Sequence, residues 1–327
     1  MLNIAKWLLV VIALYFLTKQ GLLNWHVLFN FQHHLLLLFA AVVLMFITVF
    51  LSSYRWWQLL TAQKFFLKLK QIFKPTYIGL AYNYLIPGGV GGDFIRLIYM
   101  LAIVPNKRAA LALSIFADRF IGLLGIFVTI AITSLIKLNS IQHSAELTVF
   151  FYFAFAIVAL TLIGVAVSIM LPQRLGLSAL IEKRFGHNQI AKMLLSLLDA
   201  LYIYRQNEKV FFKAVAVSVL IQFMIAFTVY LIGLSFGFTG ISIIDYCFAT
   251  MITQIANLIP LTPGGIGVGE MAFAQVLSLF ESGAVHPYAN IFLGYRLLNM
   301  LISVPGIFLY LIRKRIHEDN NAVTPNV

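Results

Sequence analysis

Apolar residues along the chain fall into eight long stretches, roughly 4–18, 35–54, 76–104, 109–136, 148–171, 212–236, 242–281 and 289–312. Nearly all reach the ~20 residues that a helix needs to cross a bilayer. Lipid offers no partner to a backbone N–H or C=O, so each stretch is predicted to be helical. Two of them are interrupted. Ile86-Pro87-Gly88-Gly89-Val90-Gly91-Gly92-Asp93 breaks 76–104, and Ile259-Pro260-Leu261-Thr262-Pro263-Gly264-Gly265-Ile266-Gly267-Val268-Gly269-Glu270 breaks 242–281. Proline removes a helical donor and glycine costs about 1 kcal/mol per helix position, so neither stretch is continuous helix. The pieces beside the first break each cover about half a bilayer at ~1.5 Å per residue. The first stretch follows Lys6 as a signal peptide would, but it ends Leu17-Thr18-Lys19-Gln20 without a small-residue cleavage site. It is expected to be a retained helix.

Composition agrees with this pattern. Of 327 residues, 61% are hydrophobic and 10% charged, against about 45–50% and about 25% in soluble domains. Mean hydropathy is +0.95. A water-soluble enzyme, a disordered chain and a nucleic-acid module are excluded. The single cysteine, Cys247, rules out an intrachain disulfide and reads as apolar filler. The net charge of +12 points to membrane orientation and anionic lipid, with no nucleic-acid partner.

Charge position then decides how the broken stretches run. Residues 55–74 carry Arg55, Lys64, Lys68, Lys70 and Lys74, and 172–213 carry seven more basic residues. If both broken stretches enter and leave by the same face, these regions, Lys6, Lys107-Arg108 and Arg313-Lys314-Arg315 all lie inside. That is 18 of the 23 basic residues, with only Lys19 and Lys137 outside. The predicted fold is therefore an all-α polytopic membrane protein. It has six transmembrane helices plus two re-entrant hairpins, with both termini cytoplasmic. The chain reads as one transmembrane domain over 1–327. Stretch 172–210, with Leu194, Leu197, Leu198 and Leu201 at helical spacing, reads as an amphipathic segment on the cytoplasmic surface or an ordinary connecting helix.

The two breaks resemble each other. Each begins with an asparagine before Leu-Ile-Pro: Asn83 before Leu85-Ile86-Pro87, and Asn257 before Leu258-Ile259-Pro260. Each has a carboxylate, Asp93 or Glu270, followed at one common spacing by an arginine, Arg119 or Arg296. Three spans separate the two hairpins, so the repeat, with cores 76–136 and 242–312, is inverted. Broken helices in inverted repeats build the mid-membrane sites of many transporters.

The candidate binding groups are Arg96, Arg119 and Arg296, with the backbone of Gly88, Gly89, Gly91, Gly92, Gly264, Gly265, Gly267 and Gly269. Half-helix N-termini favour anions, glycine lets backbone approach closely, and arginine forks onto phosphate. Together they suit an anionic lipid headgroup. Asp93, Asp118 and Glu270 either brace the hairpins by neutralising the arginines or couple protons. Tyr82, Tyr84 and Tyr295 read as packing residues, and Trp56 and Trp57 beside Arg55 as an interfacial anchor. His33-His34 lack further ligands at metal spacing, so no metal and no cofactor are expected.

These motifs resemble the lysylphosphatidylglycerol synthase transmembrane-region family, the flippase-like domain of the multiple peptide resistance factor and its stand-alone relatives. The resemblance rests on Arg55-Trp56, on Asn83 through Arg96 and on Ser114-Ile115-Phe116-Ala117-Asp118-Arg119. It rests also on Leu258 through Glu270 and on Tyr295-Arg296. It implies a multi-pass protein of the bacterial inner membrane that moves or handles a lipid. Asp118 departs mildly from the glutamate common before this arginine. The longest soluble stretch, about 40 residues, is too short for the transferase core of the full-length relatives, so no catalytic residues and no enzyme activity are expected. The favoured reading is a flippase for a phospholipid or isoprenoid-phosphate lipid. A lipid-modifying enzyme or accessory subunit and a proton-coupled small-solute transporter are the alternatives. A second copy and a separate lipid-synthesising enzyme are the candidate protein partners.

Overall fold

The computed structural model describes residues 11–12, 14–26, 34–85, 91–105, 107–137, 145–170, 207–259, 261–262, 265–280 and 286–323. The amphipathic reading of 172–210 falls almost wholly outside these residues, as do Gly88, Gly89 and Gly264. The helices are α1 (Leu35–Ala62), α2 (Leu69–Leu85), α3 (Gly91–Ile103), α4 (Arg108–Ile136), α5 (Ala145–Met170), α6 (Glu208–Ser235), α7 (Ile243–Ala256), α8 (Val268–Ser278) and α9 (Ala289–Val323). No strand occurs among the described residues. Among the described residues, four helical stretches are long and apolar enough to cross a membrane: Leu35–Ala62, Ala110–Ile136, Glu208–Ser235 and Ala289–Tyr310.

The interruptions fall where proline and glycine cluster. α2 ends at Leu85 before Ile86-Pro87, and α3 starts at Gly91. α7 ends at Ala256, and α8 starts at Val268. The four helices beside the breaks have 17, 13, 14 and 11 residues, each below the ~20 of a full span. Helix boundaries differ from the hydropathy limits mainly on the polar side. α1 runs through Arg55 to Ala62, and α2 begins at Leu69 and contains Pro75. A basic side chain ends an apolar run without ending a helix, since lysine and arginine are good helix formers.

The chain forms two compact units. The first comprises Met1–Phe50, Phe73–Tyr99 and Met224–Val327. In it α8 packs on α7 and α9, around Tyr246, Phe273 and Phe292, whose neighbouring rings lie 6.1 and 5.5 Å apart. α2 and α3 cross backbone to backbone. A Cβ on Gly92 would stand 2.5 Å from the Gly79 carbonyl oxygen, and one on Gly79 would stand 2.8 Å from that of Gly92. α9 reaches α2 at Gly306, against the Tyr77 carbonyl, and the Tyr77 hydroxyl donates to the Ile302 carbonyl at 2.5 Å. Near the N-terminus, Asn24 N–H donates to Asn290 Oδ1 at 2.8 Å and Asn290 Nδ2 returns a bond to the Asn24 carbonyl.

The second unit comprises Leu51–Ile72 and Met100–Phe223. Here α5 packs on α4, with Phe127 and Phe153 edge to face at 5.8 Å. A core of Leu59, Ala117, Ile121 and Ala214 joins the end of α1 to α4 and the start of α6. Gly125 admits Ser218, which a Cβ would meet at 2.6 Å.

Candidate functional site

The second break is built around one buried ion pair. Glu270 lies in the first turn of α8 and Arg296 in the second turn of α9, and Arg296 Nε donates to Glu270 Oε1 at 2.6 Å. The Glu270 side chain is fully buried and that of Arg296 is 5% exposed. The other carboxylate oxygen accepts the Gly267 N–H at 2.7 Å. Arg296 Nη2 donates to the Gly265 carbonyl at 3.0 Å and lies 3.4 Å from Glu270 Oε2. One arginine thus ties the carboxylate of α8 to the backbone of the break. A charge buried in lipid costs several kcal/mol unless paired and hydrogen-bonded, and both conditions are met.

The chain reaches this geometry because two of the glycines take left-handed angles, φ +73° at Gly265 and +86° at Gly267. A Cβ on Gly265 would collide with Asn257 Oδ1, and one on Gly269 would stand 2.7 Å from the same atom and 2.8 Å from Arg296 Nη2. Thr262 Oγ1 closes the turn by donating to the Ile266 carbonyl at 2.8 Å. The positive end of the α8 dipole is occupied by the protein's own carboxylate.

The first break repeats part of this plan. Asp93 lies in the first turn of α3, as Glu270 does in α8. The glycine before it, Gly92, donates its N–H to Asn83 Oδ1 at 2.9 Å, and a Cβ there would meet that atom at 2.6 Å. Gly92 and Gly269, each preceding its carboxylate, are therefore both seated on the asparagine that opens the break. Arg96 is buried, its Nη1 3.5 Å from Asp93 Oδ1 and its Nε and Nη2 3.4 Å from Thr76 Oγ1. Gly91 is buried at the first position of α3.

The second unit holds a charge cluster that sequence reading missed. Arg55 Nε donates to Asp118 Oδ1 at 2.8 Å and Nη1 donates to Ser218 Oγ at 2.7 Å. The pair is buried, at 9% and 2% side-chain exposure. Trp56 is fully buried and its Nε1 donates to Ser114 Oγ at 3.1 Å. Arg55 and Trp56 are thus core residues, not an interfacial anchor. Their signal was the apolar run Trp56, Trp57, Leu59, Leu60 that continues past Arg55. Arg119, next to Asp118, is exposed. Consecutive helical residues point about 100° apart, so burying Asp118 turns Arg119 outward.

Tyr82 packs edge to face on Tyr310 at 5.3 Å, Tyr295 is half-buried and lies 5.5 Å from Phe292, and Cys247 is buried. The side chain of Tyr84 is outside the described residues.

A model of the family described as Lysylphosphatidylglycerol synthase TM region matches residues 3–306. No curated protein and no solved structure matches the chain.

Proposed function

We propose, from the premise that this chain belongs to the lysylphosphatidylglycerol synthase TM region family, that it moves an anionic lipid headgroup between membrane leaflets. Membership and the four long apolar helices make it a multi-pass helical membrane protein. The proposal goes further: six spans and two re-entrant hairpins in an inverted repeat, in a bacterial inner membrane, with both termini inside.

The observation that carries the reading is the Glu270–Arg296 pair within a broken apolar stretch. An anion, the Glu270 carboxylate, already rests there on a helix N-terminus and a guanidinium. A lipid phosphate is likewise an anion whose oxygens accept from backbone N–H groups and a guanidinium. Leu258, Ile259 and Leu261, at the tip of the break, are 58%, 57% and 52% exposed, which supports a hairpin dipping into lipid. Asp93, Arg96, Glu270 and Arg296 brace the hairpins, and phosphate exchange for Glu270 would loosen the second one.

The test is translocation of labelled phosphatidylglycerol and of a labelled isoprenoid-phosphate lipid in liposomes holding the purified protein. Movement is expected for at least one, reduced at least tenfold by Arg296→Ala. If neither lipid moves, and Arg119→Ala and Arg296→Ala both leave the cellular phenotype intact, the reading fails.

A further inference from the structure

The loop between α1 and α2 carries Phe66, which at 91% is the most exposed large apolar side chain among the described residues. The chain on either side of it is fixed. Lys64 N–H donates to the Thr61 carbonyl at 3.0 Å and Phe65 N–H to the Leu60 carbonyl at 3.0 Å, the paired bonds that close a helix C-terminus. Trp57 Nε1 donates to the Leu67 carbonyl at 2.8 Å, and Lys68 N–H to Gln71 Oε1 at 2.8 Å. Phe65 is buried, and Lys107 Nζ lies 4.9 Å from the centre of its ring. Phe66 thus stands out between two tied neighbours.

Its rim is basic. Lys64, Lys68, Lys70, Lys107 and Arg108 are all exposed, and all belong to the second unit. No acidic residue occurs in 51–72 or 100–117. Stretch 172–206, outside the described residues, has five basic residues against two acidic, so it does not supply the missing charge. Lys64 also takes φ +61°, at the position after a helix that glycine usually fills. A cation is kept where the backbone favours glycine.

An exposed aromatic ringed by cations suits either a membrane surface or a protein. Helix α4 separates the two. Its exposed large apolar side chains begin at Phe116 and run to Ile136. Lys107 lies nine residues before Phe116, about 13 Å along the axis, whereas a headgroup layer is about 5–8 Å deep. In α1, no large apolar residue from Leu51 to Ala62 is exposed. The patch therefore lies beyond the apolar surface that lipid covers. We infer that this loop is a docking surface for an acidic segment of a water-borne protein, which sets an apolar side chain against Phe66 and its carboxylates on the cations around it. Binding orders little of a loop that is already tied down, and the charges make association fast and salt-sensitive. The surface stands apart from the translocase reading.

The test uses the full chain in phosphatidylcholine nanodiscs and a fluorescein-labelled decapeptide that alternates glutamate with leucine. It is expected to bind at least about tenfold more tightly than the same peptide with glutamine for glutamate, and to weaken as salt is raised. Phe66→Ser should weaken it at least about fivefold. Lys64→Gly should weaken it about threefold while raising the unfolding temperature, because glycine relieves the left-handed strain. Those opposite responses separate lost docking from misfolding. A bimane on Phe66→Cys, in a Cys247→Ala background, should not be quenched by phosphatidylglycerol brominated in its acyl chains. Equal affinity for the two peptides, or binding indifferent to Phe66→Ser or to Lys64→Gly, would overturn the docking surface. Quenching by the brominated lipid would overturn it too, and place the loop in the bilayer.

Discussion

Glu270 and Arg296 are the residues whose replacement says most about stability. Removing one partner of a buried pair strands a charge, at a cost of about 3–5 kcal/mol. Glu270→Gln and Arg296→Met should each lower the unfolding temperature in detergent, and the double variant should recover much of the loss. A fully additive double variant would show that the two do not act as a pair. Asp118→Ala should behave like the single variants, because it leaves Arg55 with the Ser218 hydroxyl but no carboxylate. The sequence marked Glu270 and Arg296 as intramembrane charges at a repeated spacing. Arg55 was not legible in that way, since a basic residue at the edge of an apolar run looks like an orientation signal until a helix from elsewhere brings it a carboxylate.

Among the helices, glycines separate backbone strain from steric contact. Gly237 has φ +88° with nothing within 4 Å of a built Cβ, so Gly237→Ala should cost only the left-handed conformation, roughly 1–2 kcal/mol. Gly265→Ala combines the same strain with a collision against Asn257 and should cost more than Gly237→Ala by thermal unfolding. Gly92→Ala would press a methyl on the Gly79 carbonyl and on Asn83, separating α2 from α3 at about 1–3 kcal/mol. Equal effects of Gly237→Ala and Gly265→Ala would remove the asparagine seat from the account. Both breaks could be read directly from Pro-Gly clusters. The asparagine seats could be seen only as a shared letter ahead of each cluster, because what an asparagine supports depends on how the chain folds back over it.

For the molecule as a whole, the proposed six spans and two hairpins make one sharp claim about sides. Cysteines at residues 140 and 190 should label from opposite faces of the membrane, since one span lies between them. Labelling from the same face would mean that the 148–171 stretch does not cross, and the six-span layout would fail. The basic residues would then no longer gather on one side as orientation by positive charge requires.

Hydropathy and punctuation by themselves fixed the helical class, the membrane setting and the two interruptions. A bilayer permits little besides helix, and proline with glycine leaves little doubt where helix stops. Partnership was decided only in three dimensions. Asp118 and Arg119 are adjacent letters of similar standing, yet packing of α4 against α1 and α6 in the second unit buries the first against Arg55 and exposes the second. A helix turns about 100° per residue, and which of its faces meets protein is set by elements distant in the chain.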